Sequence, residues 1–138
     1  AKLATATASS TYLPTATAAS TYLPTATAAT TYSPLILTFN AQTGTTYTLV
    51  STDANAKLVT MSNAGAVTLT IPPSIFTAGQ TIDIQSIGAG LTTFAAGAGV
   101  TITSTGAAAA APILRARYSA CTVICTATNV FTVIGDIA

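Results

Sequence analysis

From residue 35 onward the chain alternates apolar and polar positions in short runs. Threonines separate Val67, Leu69 and Ile71, Ile82 and Ile84 flank Asp83, and Val123 and Cys125 flank Ile124. A period of two sends alternate side chains to opposite faces of an extended strand. Ten candidate strands follow, at 35–39, 45–50, 57–61, 67–71, 81–87, 91–94, 100–103, 113–118, 122–126 and 130–134. Between them lie breaks rich in Gly, Pro, Asn and Asp, at 40–44, 53–55, 63–65, 72–73, 78–79, 88–90, 97–99, 106–112 and Asn129. The alanine run within 106–111 is too short for an amphipathic helix. Many short strands at this spacing predict an all-β head over residues 35–138, a compact β-sandwich or small barrel of about ten strands.

Residues 1–34 have another texture. Ser10-Thr11-Tyr12-Leu13-Pro14-Thr15-Ala16-Thr17-Ala18 returns ten residues later as Ser20-Thr21-Tyr22-Leu23-Pro24-Thr25-Ala26-Thr27-Ala28, and Thr30-Thr31-Tyr32-Ser33-Pro34 is a partial third copy. A fixed period means one structural unit used repeatedly. Ten is even, so an extended chain points Tyr12, Tyr22 and Tyr32 the same way. On a continuous helix, successive tyrosines would sit some 80° apart, and a proline in each unit forbids a long helix in any case. The segment is therefore predicted to be a decapeptide-repeat stalk, either extended or built of short helical turns. Each unit has one Tyr, one Leu and a few Ala to bury, against about 1–2 kcal/mol of backbone entropy per residue fixed. Order in the stalk thus requires a partner, and Tyr12, Leu13, Tyr22, Leu23 and Tyr32 are its candidate interface residues.

Charge sharpens this expectation. Only seven of 138 residues are ionic: Lys2, Lys57, Arg115, Arg117, Asp53, Asp83 and Asp136. That is 5%, against about 25% for an average soluble domain. Surface charge is what normally keeps monomers apart, so self-association is expected. A net charge of +1 with one small basic cluster argues against nucleic acid, whose phosphates call for many Lys and Arg. It argues equally against an acidic membrane surface. No run of about 20 apolar residues reads as a membrane span, since polar residues and Pro112 interrupt the most apolar stretch, 95–114.

The inventory for chemistry is thin. The chain holds neither His nor Glu, which rules out a Ser-His-Asp or Cys-His arrangement within one chain. Asp53 lies in a turn signal, where Asp usually bonds nearby backbone, and Asp83 alternates with isoleucines and so faces away from the core. Asp136 follows Gly135. No catalytic, cofactor-binding or metal-binding residues are assigned, and no enzyme activity is expected. Cys121 and Cys125, if on one strand, face the same side about 13 Å apart, beyond disulfide reach; they read as small buried hydrophobes. Arg115 and Arg117 are expected to share a strand face. There they form a ladder neutralised by Asp83 or Asp136, or a contact to an acidic sugar or a neighbouring protein.

The stretch Asp53-Ala54-Asn55-Ala56-Lys57-Leu58-Val59-Thr60-Met61, with Val67-Thr68-Leu69-Thr70-Ile71-Pro72, resembles a module of tailed-bacteriophage fibre, head-fibre and capsid-decoration proteins. The likeness continues through Ile87-Gly88-Ala89-Gly90-Leu91-Thr92-Thr93-Phe94-Ala95, Gly99-Val100-Thr101-Ile102, Arg117-Tyr118-Ser119 and Val133-Ile134-Gly135-Asp136-Ile137, so that it covers about 45–138. The spacing Ile-Gly-Ala-Gly…Thr-Phe-Ala…Gly-Val-Thr is its most specific part. Cys121 and Cys125 depart from the pattern. The resemblance implies a homotrimeric, β-rich structural protein on the virion surface, assembled in the host cytoplasm. It would act as a capsid decoration, head fibre or fibre, with other virion proteins such as capsid or tail components as partners. The alternative within the same family is a receptor- or carbohydrate-binding tip that contacts a host surface glycan.

If the stalk is held by a partner through its aromatic positions, replacing Tyr12, Tyr22 and Tyr32 together by Ser is expected to release it. Limited proteolysis of the assembled protein checks this; unchanged protection of residues 1–34 counts against it.

Overall fold

The computed structural model of the chain describes residues 36–105 and 110–138. The repeat tyrosines and leucines, and the stalk boundary placed after residue 34, lie outside the described residues.

Nine strands occur among the described residues: β1 (Thr38–Gln42), β2 (Thr46–Thr48), β3 (Lys57–Met61), β4 (Val67–Ile71), β5 (Thr81–Ser86), β6 (Thr92–Ala96), β7 (Thr101–Ser104), β8 (Ala120–Ala127) and β9 (Val130–Gly135). They form a six-stranded sheet in the order β1-β3-β5-β8-β9-β7 and a three-stranded sheet in the order β2-β4-β6. The alternation in sequence marks most of these strands, with β3 and β4 at their predicted ends.

The predicted sandwich or barrel is incorrect. The pairs β1–β3, β3–β5, β2–β4 and β4–β6 are all parallel, so neighbours in sequence such as β1 and β2 are not hairpin partners. Each instead turns a corner from one sheet into the other, and the chain comes round again one layer on. Thr38 lies beside Lys57, Leu58 beside Asp83, Thr46 beside Thr68 and Val67 beside Thr92. These are coils of 19 to 25 residues in a β-solenoid-like stack. Parallel strands require long connections, whereas antiparallel strands can join through tight ones. Here a second strand in the other sheet supplies that length, where many proteins use a helix. The only helical turn in the described residues is a 3-10 turn at Ser51–Asp53.

The corners set how closely coils approach. The Asn63 side-chain amide donates to the Thr43 carbonyl of the first coil at 2.7 Å, and its Oδ1 accepts from Gly65 N at 2.8 Å. The Asn63 carbonyl then accepts from Gly90 N of the third coil at 2.9 Å. A Cβ on Gly88 would strike the Asn63 backbone, and one on Gly90 the Gly65 carbonyl. The Gly-Ala-Gly motif is thus a spacing requirement of stacked corners.

Between the sheets lies one core, whose largest fully buried side chains include Phe94, Phe131, Leu49 and Met61. Its first layer is polar. Asn40 and Gln42 occupy the inward row of β1, beside Val59 and Met61 of β3. Asp53 is 0% exposed. Its carboxylate accepts from Asn40 Nδ2 at 2.8 Å, Tyr47 Oη at 2.8 Å and Val50 N at 2.9 Å, with Lys57 Nζ at 3.8 Å. The turn reading of Asp53 therefore holds, and the group is also the hub of a closed network. Burial first, and then its bond to Asp53, push the Tyr47 phenol up to about 12.

After the third coil the next contact in each sheet is antiparallel, although β7 later pairs parallel with β9. The antiparallel hairpin β8–β9 adds to β5, with β7 beyond it. In the other sheet, Ile113 makes an isolated antiparallel bridge to Thr93 of β6. The predicted strand at 113–118 is not formed: Ile113 and Leu114 make single bridges, and the chain then turns, with Tyr118 at φ 70°. Arg115 and Arg117 consequently do not share a strand face. At the β8–β9 turn Asn129, φ 60°, takes the left-handed position that Asn tolerates.

Removing the hub carboxylate strands several buried partners at once. Asp53→Ala is expected to lower unfolding stability by about 3–5 kcal/mol, read as a shifted denaturant midpoint with unchanged slope.

Candidate subunit interface

The two sheets present opposite outer surfaces. Outward positions of the three-stranded sheet are almost all threonine: Thr46, Thr48, Thr68, Thr70 and Thr93. The six-stranded sheet carries apolar groups outward. Across its register Phe39 pairs with Leu58, Leu58 with Asp83, Asp83 with Thr122 and Thr122 with Ile134. Phe39 is 70% exposed and Ile134 50%, and Leu37, two residues before Phe39, has the same parity and is also exposed. Leu37, Leu58 and Ile134 line a groove of about 350 Å³, with Asp83 and Thr122 between them.

Asp83 is the one ionic group in that row. It faces away from the core, as its alternation with Ile82 and Ile84 predicts, and its Oδ1 accepts from Thr122 Oγ1 at 2.6 Å.

At the end of β5 stands a second feature, a turn carrying Arg117 and Tyr118. Arg117 Nε donates to the Ile87 carbonyl at 2.9 Å, and its guanidinium lies 4.7 Å over the Tyr118 ring. That ring is 61% exposed although its backbone sits at φ 70°, a conformation uncommon for a bulky residue. Several bonds hold it: Tyr118 N donates to the Ser86 carbonyl at 2.6 Å and Ser119 Oγ accepts from Ala116 N at 3.0 Å. Asp136 completes the clasp, taking Ser119 Oγ at 2.6 Å and Arg115 Nε at 2.6 Å. The Ser119 hydroxyl first, and then the Arg115 charge, hold the Asp136 carboxyl below its usual range. The clasp therefore strengthens the fold above the ordinary carboxylate pKa and loses that contribution as pH falls through the lowered one. Of the two arginines, Arg115 is thus neutralised by Asp136, one of the partners the sequence offered, and Arg117 lies over the exposed Tyr118 ring.

Cys121 and Cys125 are free, buried and on the same face of β8. Burial, and then the nearby Asp83 charge, push the Cys121 thiol up to about 12; burial also raises Cys125. Thiols so protonated are poor nucleophiles at neutral pH. Among the described residues no three His, Cys, Asp or Glu side chains converge as a metal site would require.

Sequence reasoning placed its interface candidates in the stalk, outside the described residues, and did not mark Leu37, Phe39, Leu58, Ile134 and Tyr118 as outward-facing apolar groups. A signal was present: Leu58-Val59, Val123-Ile124 and Val133-Ile134 are adjacent apolar pairs, which make a strand apolar on both faces. Comparison of the chain with protein-family models, with curated proteins and with solved structures gives no match.

The buried thiols yield a direct check. A water-soluble thiol reagent at neutral pH is expected to leave Cys121 and Cys125 unmodified in the folded protein and to modify both in denaturant; rapid labelling of the native chain would contradict their placement.

Proposed function

We propose that the chain is a non-catalytic structural protein of a tailed-phage particle, a homotrimeric capsid decoration, head fibre or fibre on the virion surface. The carrying observation is the apolar outer face of the six-stranded sheet in a chain with so few charges. Exposed apolar rows of this kind mark association surfaces, and the threonine face of the other sheet is suited to water. The three-fold stoichiometry and the virion setting rest on the resemblance of the stretch from about 45 to 138.

Magnitudes bear on how such a face works. Completing the burial of Leu37, Phe39, Leu58 and Ile134 contributes about 3–6 kcal/mol, taking half of the ~1.5–3 kcal/mol for each fully buried side chain. Association costs about 4–15 kcal/mol in lost freedom. The sheet face is therefore sufficient to orient copies and insufficient alone to hold them. The stalk, with Tyr12, Leu13, Tyr22, Leu23 and Tyr32, is the natural source of the remainder.

A second reading, a receptor- or carbohydrate-binding tip, is favoured by the exposed Tyr118 ring beside Arg117. Aromatic faces stack on sugar rings, and a guanidinium suits an acidic sugar.

Sedimentation of the full chain at tens of micromolar tests the first reading. A trimer is expected, and Phe39→Asp is expected to weaken it roughly tenfold or more by placing a charge in the apolar row. A monodisperse monomer overturns self-association. Antibody labelling of particles tests the virion setting, and an unlabelled capsid and tail would count against it.

A further inference from the structure

We infer that the copies are held in register by an ion pair between Arg117 of one copy and Asp83 of its neighbour. The inference rests on the self-association proposed above and specifies its polar contact.

The charge inventory leads to it. Among the described residues Asp53 is paired with Lys57 and Asp136 with Arg115. Asp83 bonds Thr122 and has no cation; Arg117 bonds the Ile87 carbonyl, lies over Tyr118 and has no carboxylate. Asp83 sits in the groove lined by Leu37, Leu58 and Ile134. Any partner that covers this groove withdraws water from the carboxylate, and an unpaired charge so buried costs more than the apolar contacts return. A partner that closes over the sheet and brings a cation to Asp83 removes that cost.

Arg117 cannot do so within its own chain. Its Nε is fixed on the Ile87 carbonyl, four residues along the chain from Asp83, or about 13 Å at strand rise. A salt bridge needs about 4 Å. The separation runs along the strand, so both groups lie at the level of the third coil. Gln85, on the same outer face as Asp83, donates to the Tyr118 carbonyl at 3.5 Å, which puts the turn at the rim of that face. Copies arranged about an axis parallel to the coil stack meet at equal heights, so the Arg117 rim of one face comes against the groove of the next that holds Asp83. The left-handed Tyr118 and the Asp136 clasp hold this turn outward in advance. Arg and Tyr are also the residue types enriched among those that dominate interfaces.

The test is a charge reversal in the full chain, read by sedimentation. Asp83→Arg and Arg117→Asp alone are each expected to weaken association roughly tenfold or more. The double reversal is expected to restore it substantially. Asp83→Asn and Arg117→Gln, with thermal unfolding of every variant, separate loss of contact from loss of fold. Single reversals that associate like the parent chain, or a double reversal as weak as the singles, overturn the pair while leaving self-association standing. Weakening by Lys2→Gln equal to that of Asp83→Asn would assign the carboxylate to the stalk and overturn it. So would loss of binding to a sialylated glycan in Arg117→Asp with assembly unchanged. A parent chain that sediments as a monomer removes both this inference and the reading beneath it.

Discussion

Close approach of successive coils is the constraint on which the structure depends. Parallel strands stack at about 4.8 Å, and that spacing holds around the corners as well as within the sheets. It requires glycine where Gly88 and Gly90 pass over the Asn63–Gly65 turn, and it gives Asn63 three coils to join. Inside the stack the alternation of each strand then places apolar groups above one another. The inward row that begins polar at Asn40 becomes Val59, Ile84 and Cys121 as the coils accumulate.

The polar first layer follows from the same geometry. A coil at the end of a stack has a neighbour on one side only, and among the described residues β1 and β2 each pair on one side alone. Apolar groups there would lie against solvent. Asn40, Tyr47, Asp53 and Lys57 instead satisfy one another. Low charge elsewhere is consistent with this economy, because the described carboxylates are held in specific contacts with amide, hydroxyl or cationic groups.

How much of this was legible in the sequence depends on the range of the interaction. Strand identity is local, and the alternation at Val67–Ile71 and the turn signals around Lys57–Met61 gave those elements their correct ends. Strand pairing is not local. Steps of 19, 22 and 25 residues between stacked positions leave no fixed period to detect, and the outer-face apolar groups blur the two-residue alternation. The segment after Pro112 alternates like a strand, yet Tyr118 turns away, because its partners are the end of β5 and the clasp at Asp136. Of the candidate site, Arg117 was marked by a strand face expected to be shared with Arg115; its place over an exposed ring required the fold.

The two ends of the stack are unlike. Beyond the third coil β8 packs antiparallel on β5 and Ile113 antiparallel on β6, whereas among the described residues no strand lies on the other side of β1 or β2. Such a fold has a polarity for evolutionary lengthening. A duplicated coil inserted ahead of residue 38 would find a matching parallel template beneath it, while one inserted directly after β5 and β6 would have to displace the antiparallel contacts that β8 and Ile113 make there. Members of a lineage built on this plan would therefore differ in height chiefly at the beginning of the head, with the closing hairpin retained as a common lid.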